Sequence, residues 1–409
     1  MRPSLPQFIF AVLVLGLLLL PAARRPPFTG VEETFVNWLA ANSSGAHTGS
    51  HVTLVEINDD SLLEYPWPWS PLNYALFLDT ALQFRARVAA VEPVLAWDET
   101  NFTPEQLLQQ PQFENYLHQA ILRTPKLELG AQLGFPEDPD IVPPMQAVPI
   151  LRNVHGATDA VPEYTVIESE PGDDIRLSAA LGYTNVPGNE PTAQHAAMVF
   201  RYRGQMVPSF VLQALMLWYG VTPEDVDVTL GSEIRLGDSL AIPVNQAGAM
   251  LVDWQQPYDR AGFDDLELAV DQFEKKLTPI VPPRILIDRI LILARTDSAA
   301  RTVLLPTGSY GSAGELFAAA VATAQSHAFA LPAGWMGDAF VLLAAAALAW
   351  LVTTRSKLLV VPLTLAFIAG YLLVCLAVFE SARVALPLTP MLGLAAFIAL
   401  YRLLAPRSS

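Results

Sequence analysis

The amino-acid sequence predicts an α/β fold: a large central domain with βαβ units and a mostly parallel or mixed sheet, between hydrophobic helices. Three observations lead to this prediction. Long apolar blocks stand at both ends of the chain, the segment between them is strongly acidic, and apolar strands alternate there with amphipathic helices. Of the 409 residues, 52% are hydrophobic and 16% are charged, whereas soluble domains carry about a quarter charged residues.

Three apolar blocks near the C-terminus are each long enough to cross a membrane. They are Trp335 to Thr354, Leu358 to Phe379 and Val384 to Leu404, with 20, 22 and 21 residues. A helix needs about 20 apolar residues to cross a hydrocarbon core of roughly 30 Å. Because linkers of only three or four residues separate the blocks, we assign 335–404 to a three-helix transmembrane bundle and 405–409 to a short cytoplasmic tail.

The N-terminal segment is also hydrophobic. Its strictly apolar part, Phe8 to Leu20, has 13 residues, and Leu5 to Ala23 extends it to 19. These lengths are typical of a signal-peptide core and of a membrane span, respectively. Pro21 fits the small-residue requirement of a cleavage site poorly. We therefore assign 1–24 to a transmembrane anchor or signal-like segment, and under both alternatives the central domain is exported.

Basic residues predict the orientation. Arg355 and Lys357 occupy the first linker, and Arg402 and Arg407 lie at the C-terminal end. Since cytoplasmic loops are enriched in Lys and Arg, these ends should be cytoplasmic. We expect a multi-pass protein of the cell membrane whose main domain, 25–334, is extracytoplasmic, in the periplasm or outside the cell. Two arginines directly after the N-terminal segment oppose this orientation.

The charge of the central segment excludes several classes of partner. Between Arg24 and Ala333 there are 38 acidic and 18 basic residues, a net charge of −20. A segment this anionic is not expected to bind nucleic acid or anionic lipid headgroups. The single cysteine, Cys375, excludes a disulfide within the chain and any cysteine-based metal site. These features suit a bacterial periplasm or cell surface.

The central segment begins with a βαβ pattern. The strand Val52–Ile57, the helix 74–83 and the strand Val88–Val91 predict a neighbouring parallel pair with a right-handed crossover. The further predicted elements are the helix 113–122, the strand 127–130, an irregular excursion over 136–171, the strand 198–202, the helix 210–219, the hairpin 234–236 with 240–243, the strands 249–252 and 289–294, and the helix 314–324.

Local motifs accompany these elements. They are Ile57-Asn-Asp-Asp-Ser-Leu62 after the first strand, Trp67-Pro-Trp69 in the loop, Gly182-Tyr-Thr-Asn-Val186, and Pro208-Ser-Phe210 before a helix. In order and spacing they resemble CHASE2 domains, the extracytoplasmic sensor domains of bacterial receptors. That family also has one membrane helix before the domain and three after it. Asn58 and Glu92 differ from the family pattern, which usually has Asp at both positions.

The resemblance implies a sensor or accessory subunit that detects an unknown ligand or partner. Receptors of this family normally carry a cytoplasmic kinase or cyclase, whereas five residues follow the last predicted helix here. We therefore expect signalling through the membrane helices to a separate membrane protein that carries the output function. A different class stays open, a non-catalytic structural or assembly subunit of a bacterial cell-envelope complex. We expect the extracytoplasmic domain to be a monomer or a weak homodimer.

No enzyme activity, cofactor or metal is expected. The sequence contains no Gly-x-Ser-x-Gly elbow, no Walker loop and no recognisable catalytic triad. Its six histidines are scattered, without the spacing of zinc ligands. A glycine-rich segment, Gly308 to Gly314, precedes a helix and either cradles an anion or forms a flexible turn.

Six residues are candidates for ligand binding. Four acids follow predicted strands, where α/β sheets bind ligands, and two tryptophans lie in a proline-rich loop. The six are Asp59, Asp60, Trp67, Trp69, Glu92 and Asp297. Clustered carboxylates hold cations or amines, and exposed rings stack on ligands. The alternatives are that the acids only close turns and that the loop is a packed lid over a sheet edge.

Overall fold

The computed structural model of the protein describes residues 5–23, 28–43, 49–95, 104–136, 146–186, 193–306 and 308–404. The chain divides into two compact units. The helical unit comprises Met1–Ala46 with Ala330–Ser409, and the sheet unit comprises His47–Phe329. The tail predicted for 405–409 lies outside the described residues.

Helices and strands alternate through the sheet unit, and helices dominate the helical unit. The α-helices of the described residues are α1 (Leu5–Ala23), α2 (Phe28–Asn42), α3 (Asp59–Glu64), α4 (Pro71–Gln83), α5 (Pro104–Arg123), α6 (Asp173–Arg176), α7 (Phe210–Tyr219), α8 (Phe263–Glu274), α9 (Ala313–Gln325), α10 (Gly334–Thr353), α11 (Val360–Ala382) and α12 (Thr389–Leu404). The strands are β1 (Val52–Ile57), β2 (Val88–Val91), β3 (Leu127–Gly134), β4 (Asn153–His155), β5 (Glu163–Tyr164), β6 (Val166–Ser169), β7 (Ala180–Tyr183), β8 (His195–Ala197), β9 (Val199–Tyr202), β10 (Gln205–Pro208), β11 (Val226–Thr229), β12 (Glu233–Leu236), β13 (Leu240–Pro243), β14 (Ala249–Leu251), β15 (Asp259–Gly262), β16 (Ile290–Arg295), β17 (Thr302–Leu304), β18 (Tyr310–Ser312), β19 (Leu331–Pro332) and β20 (Val384–Ala385).

The main sheet has seven strands in the order β15-β1-β16-β2-β3, with β6 and β7 both paired to β3. Every pair is parallel except β3 with β6. This mixed, mostly parallel sheet confirms the predicted fold class. One predicted detail is wrong, because β1 and β2 are not neighbours: β16 lies between them and pairs with both. The first five residues of β16 are apolar and buried, and a central position removes such a strand from water on both faces.

Alternate strand residues face two hydrophobic cores. Leu54 of β1 lies in the core that includes α7 and α9, and Val55 lies in the core that includes α4, α5 and α8. Side chains of a strand alternate between faces, so a sheet covered by helices on both sides needs nearly continuous apolar strands. This requirement explains why β16 begins with five consecutive apolar residues and why β1 is mostly apolar.

The local pattern around α7 predicted that helix with its observed bounds. The Ser209 side chain accepts a hydrogen bond from the Leu212 N–H at 3.2 Å, and Gly220 ends the helix in the left-handed conformation, with φ of 71°. The predicted hairpin is also confirmed, since β12 and β13 pair antiparallel.

Two predictions about the sheet unit are wrong or incomplete. The segment 136–171 is not simply irregular, because β4, β5 and β6 lie within it and pair with β11, β9 and β3; residues 137–145 lie outside the described part. The helix α8 was not predicted, although Phe263, Leu266 and Ala269 are buried at helical spacing. Acidic residues between them dilute the apolar signal.

Among the described residues of the helical unit, three helices are long and apolar enough to cross a membrane: Leu5–Ala22, Gly334–Thr353 and Lys357–Ala382. The predicted span 384–404 is wrong at its start, because α12 has only 16 residues. At about 1.5 Å per residue, α12 is roughly 24 Å long, shorter than the ~30 Å hydrocarbon core. The residues before it form β20, which pairs with β19.

The start of α12 is fixed by a side chain from α2. The Glu32 carboxylate accepts hydrogen bonds from the backbone N–H groups of Leu388 and Thr389 at 2.9 and 2.6 Å. An acidic group at a helix N-terminus satisfies free N–H groups and favours the helix dipole.

Candidate functional site

The ends of four parallel strands form one edge of the main sheet. The chain continues from β1, β2, β15 and β16 as 58–64, 92–95, 263–267 and 296–301, which we call the carboxyl edge. These segments contain eight acidic residues and one basic residue. This is the position at which open α/β sheets bind ligands.

The turn after β1 is closed by its own polar side chains. Asn58 caps α3, and its side chain accepts a hydrogen bond from the Ser61 N–H at 2.8 Å. One Asp59 oxygen accepts from both the backbone N–H and the hydroxyl of Ser298, each at 3.1 Å. Asp60 is exposed in the first turn of α3, where a negative charge favours the helix. Asp59 therefore joins the segments that follow β1 and β16.

Asp297 is held by an arginine two residues earlier. Nε and Nη2 of Arg295 donate to its two oxygens at 2.8 and 2.7 Å, and the Ala299 N–H donates at 3.1 Å. The Asp297 side chain is almost fully buried. The hydrogen bonds and charge of Arg295 lower the pKa of Asp297, so this carboxylate stays ionised and fixes the guanidinium.

The two tryptophans of the proline-rich loop have different environments. Trp69 is buried, its ring lies 4.3 Å from Phe263 and 5.5 Å from Tyr74, and its Nε1–H donates to the Tyr65 carbonyl at 2.9 Å. Trp67 is exposed at the surface, and its ring centroid lies 4.4 Å from the Arg295 Cζ. Trp69 thus anchors the loop, while Trp67 covers the arginine as a cation–π partner.

Glu92 lies at the end of β2 in a mostly buried position. Its Oε1 is 3.6 Å from Arg301 Nη2. Burial raises the pKa of Glu92, and the neighbouring Arg301 and Arg295 partly offset that rise. Burial and the Glu92 charge together raise the pKa of Tyr74. Glu92 and Asp297 therefore have pKa values shifted in opposite directions at the same edge of the sheet.

The carboxyl edge is connected to the helix α9. Arg260 of β15 pairs with Glu56 of β1, with Nε to Oε2 at 3.0 Å, and its Nη1 lies 2.8 Å from Oε1 of Glu315 in α9. The glycine-rich segment before α9 contains β18, which pairs antiparallel with β17. Its helix N-terminus is occupied from within, because Glu315 Oε2 accepts from the Ser312 N–H at 2.8 Å in a capping box.

Comparison with known proteins then identifies the family. The CHASE2 domain model matches residues 9–354, most of the chain. This chain belongs to the CHASE2 domain family. The match begins within α1, includes the whole sheet unit and ends just after α10, so the resemblance inferred from the motifs is confirmed. The search of curated proteins found no match, and the search of solved structures found none.

CHASE2 is an extracytoplasmic sensor domain, and its carboxyl edge here brings most of the candidate residues together. The Arg295 guanidinium pairs with Asp297, lies over the Trp67 ring, and its charge partly offsets the raised pKa of Glu92. Asp59 accepts hydrogen bonds from Ser298, the residue that follows Asp297. Asp60 stands apart on the surface. The sequence reasoning missed the arginine, although an Arg that ends an apolar strand two residues before an Asp is a visible signal.

This edge of the CHASE2 domain has polar and aromatic side chains at its surface. It presents an aromatic ring over a partly exposed guanidinium, and the exposed residues Asp59 and Asp60 lie in the segment that follows β1. Such groups suit a ligand with polar or charged substituents. Within the described part of the chain, no three His, Cys, Asp or Glu side chains come together as a metal ion would require.

Proposed function

We propose that this protein is a membrane-anchored sensor whose CHASE2 domain detects a small molecule or an envelope component. The signal passes through the membrane helices to a separate membrane protein that carries the output function. In this proposal the protein acts without catalysis and without a cofactor. The carboxyl edge of the sheet, with Trp67, Arg295 and the exposed acids, is the place of detection.

The single observation that supports this most is the course of α9. The helix begins at the carboxyl edge, where Glu315 pairs with Arg260. It ends beside the start of β1, where the Gln325 side chain accepts a hydrogen bond from the His51 N–H at 2.8 Å. The chain then continues through 326–333 into the hydrophobic helix α10. A ligand that favours one position of α9 thereby favours one position of the segment that enters the membrane helix.

The proposed orientation has the sheet unit outside the cell or in the periplasm. Three basic residues of the helical unit lie together, because Arg402 Nη2 donates to the Arg355 carbonyl at 3.0 Å and Lys357 Nζ donates to the Leu403 carbonyl at 3.0 Å. A cluster of Lys and Arg at one end of a set of membrane helices favours the cytoplasmic side for that end.

Reporter fusions test this orientation in the full chain. A periplasmic phosphatase inserted after Ser326 should be active, and the same enzyme fused after Ser409 should be inactive. A fluorescent protein that matures only in the cytoplasm should give the opposite pattern. Activity at both positions, or the reversed pattern, contradicts the proposed topology.

A thermal-shift screen tests detection at the carboxyl edge. The full chain in lipid nanodiscs is heated in the presence of small amines, carboxylates and short saccharides, and the midpoint of its thermal unfolding is measured. We expect at least one compound to raise the midpoint of the wild-type protein and of Trp38→Ala, an exposed tryptophan in the helical unit, but not of Trp67→Ala. A compound that stabilises all three proteins equally binds elsewhere and counts against the proposed place of detection.

The partner is proposed to contact α11. Small residues on the last helices permit close helix approach, and the structure divides them: Ala345 and Ala395 are buried in the helical unit, while Ala366 and Gly370 are exposed. A Cβ added at position 370 would meet no atom within 4 Å. Gly370→Leu should therefore leave the unit intact and reduce co-purification of a partner.

Leu343→Ala, at an exposed position of α10, is the control for this experiment. It should leave the partner bound. A co-purifying kinase or cyclase supports the sensor, whereas envelope-assembly proteins support the structural alternative. If partners persist with Gly370→Leu while the unit stays folded, this face of α11 is not the docking surface.

A further inference from the structure

The edge of the sheet opposite the proposed detection site has the opposite charge. The loops that lead from helices into β2, β3 and β16 are 84–87, 124–126 and 275–289, and we call them the amino-edge loops. They contain seven basic residues and one acidic residue, Asp288. The seven are Arg85, Arg87, Lys126, Lys275, Lys276, Arg284 and Arg289. The strongly acidic sheet unit thus has one basic edge.

The longest of these loops also exposes apolar side chains. The exposed fractions are 59% for Leu277, 52% for Ile280 and 48% for Ile287. Their neighbours Val281 and Ile285 are buried in the core beside α8, so the loop is anchored while these three side chains point away from the core. Exposed apolar side chains among basic ones are typical of a surface that binds a protein partner or a membrane.

Hydrogen bonds fix the loop in this arrangement. The N–H groups of Leu277 and Ile280 donate to the backbone carbonyl and the side-chain oxygen of Gln272, at 2.8 and 2.6 Å. Arg289 donates to the Val52 carbonyl at 2.8 Å. The outward apolar side chains are therefore held by the fold and need no ordering when they bind.

The chain enters and leaves the sheet unit at this same edge. β1 begins at Val52 immediately after His51, and His51 is hydrogen-bonded to Gln325 at the end of α9. In the N-terminal direction the chain leads from His51 to α2 and then α1, and in the C-terminal direction it leads from Gln325 to α10. A surface at the points of attachment to membrane helices is held at a high effective concentration near lipid.

We infer that the amino-edge loops bind the surface of an anionic bilayer. Leu277, Ile280 and Ile287 insert at the level of the headgroups, and Lys275, Lys276 and Arg284 bind the lipid phosphates. Apolar side chains flanked by Lys and Arg are the combination that interfacial membrane binding requires. The inference is independent of what the carboxyl edge detects.

Lipid-quenching fluorescence tests this inference with the full chain in nanodiscs. The only cysteine is removed by Cys375→Ala, and a fluorescent label is attached through Ile280→Cys or, as control, through Leu63→Cys, an exposed position in α3 at the carboxyl edge. In nanodiscs of phosphatidylcholine with phosphatidylglycerol, spin-labelled lipids should quench the label at position 280 and leave the label at position 63 unchanged. Equal quenching at the two positions overturns the inference.

A charge variant separates lipid binding from mere proximity. The combined Lys275→Glu, Lys276→Glu and Arg284→Glu variant should lose the quenching at position 280. Replacing anionic lipid with phosphatidylcholine, or adding salt, should also weaken quenching in the unmodified protein. The matched control, Arg152→Glu with Arg235→Glu, changes exposed basic residues outside these loops and should leave the quenching intact.

Two outcomes contradict lipid binding without depending on how the charge variant folds. If the label at position 280 is shielded from both spin-labelled lipid and aqueous iodide, a protein partner or a second copy covers the surface. If iodide quenches it as strongly as the label at position 63, the surface faces water. Either result overturns the inference.

Discussion

Each edge of the main sheet has an arginine above a tryptophan ring, and the two pairs differ mainly in their surroundings. At the carboxyl edge the Arg295 Cζ lies 4.4 Å from the Trp67 centroid, and at the amino edge the Arg87 Cζ lies 4.3 Å from the Trp218 centroid. Arg295 is 23% exposed and pairs at 2.7 Å with Asp297, which is 2% exposed. Arg87 is 43% exposed, and its acidic partner Asp288 is 3.9 Å away and 68% exposed.

The same pair of residue types, an arginine over a tryptophan, therefore has a different environment at each edge. The buried carboxylate fixes the guanidinium of Arg295, so the carboxyl edge is a rigid polar network with a defined shape. The exposed carboxylate of Asp288 leaves Arg87 in water, where ion pairs are weak and screened by salt. The amino edge is therefore a basic surface, whereas at the carboxyl edge a buried carboxylate holds the guanidinium.

The largest effect is expected from breaking the buried pair. Arg295→Met leaves the Asp297 carboxylate buried without its partner, and the free energy of unfolding should fall by about 3 kcal/mol. Chemical denaturation of the full chain in detergent micelles, followed by tryptophan fluorescence, measures this. A loss no larger than that of Arg87→Met would remove the distinction between the two edges.

A second prediction concerns the close packing of α9 at the carboxyl edge. A Cβ at Gly314 would lie 2.3 Å from the Ala294 Cβ of β16, so Gly314→Ala must displace the start of the helix. The expected loss of stability is about 1–3 kcal/mol, measured by the same denaturation. Gly370→Ala is the matched control, because its added methyl group meets no atom within 4 Å and should be tolerated.

The elements β1, α7 and β16 show which features of the fold the sequence alone predicts. The bounds of β1 and α7 follow from local apolar patterns and caps, which need no distant information. The position of β16 between β1 and β2 depends on pairing between residues far apart in the chain, and no local pattern encodes that order. The stacking of Trp67 on Arg295 is missed for the same reason.

The positions of the acidic candidates in the fold were predicted, but their partners were not. The acids were placed correctly at the ends of parallel strands, because turn residues after an apolar strand are visible in the sequence. Their partners were not predicted, since a carboxylate that holds an arginine and one that closes a turn have the same sequence pattern. The exposure of Trp67 and the burial of Trp69 were not predicted either. Trp69 packs against Phe263 of α8, a helix whose sequence pattern is weak.

A third prediction uses pH at the carboxyl edge. The pKa of Glu92 is raised in the folded protein, so its contribution to stability is present below the unfolded pKa of roughly 4.3 and is lost as pH rises through the folded value. Wild-type stability should therefore fall relative to Glu92→Gln as pH increases from 4. The lowered pKa of Asp297 affects the wild type and Glu92→Gln alike, so its contribution cancels from the difference between them.

Paired unfolding curves of the wild type and Glu92→Gln from pH 4 to 8 measure this effect. The difference between them should change by less than the loss expected for Gly314→Ala. A constant difference over the whole range, or one that changes in the opposite direction, contradicts the assignment of burial as the main cause of the shift.

The smallest effect is expected at the amino edge. Arg87→Met removes an exposed cation–π contact with Trp218, which is worth about 0.5–1 kcal/mol. Denaturation curves of this variant and of Arg295→Met, collected side by side, sharpen the comparison between the edges. Equal losses of unfolding free energy in the two variants would mean that burial of the acidic partner does not strengthen its pair with the arginine.

Amide hydrogen exchange of the full chain in nanodiscs tests most directly whether α9 connects the carboxyl edge to the membrane helix. Glu315→Gln keeps the helix cap but weakens the ion pair with Arg260, and Glu163→Gln weakens an ion pair with Arg201 that lies away from α9. The account predicts altered exchange in residues 326–333 for Glu315→Gln alone. Unchanged exchange there, with changes confined to the start of α9, would contradict it.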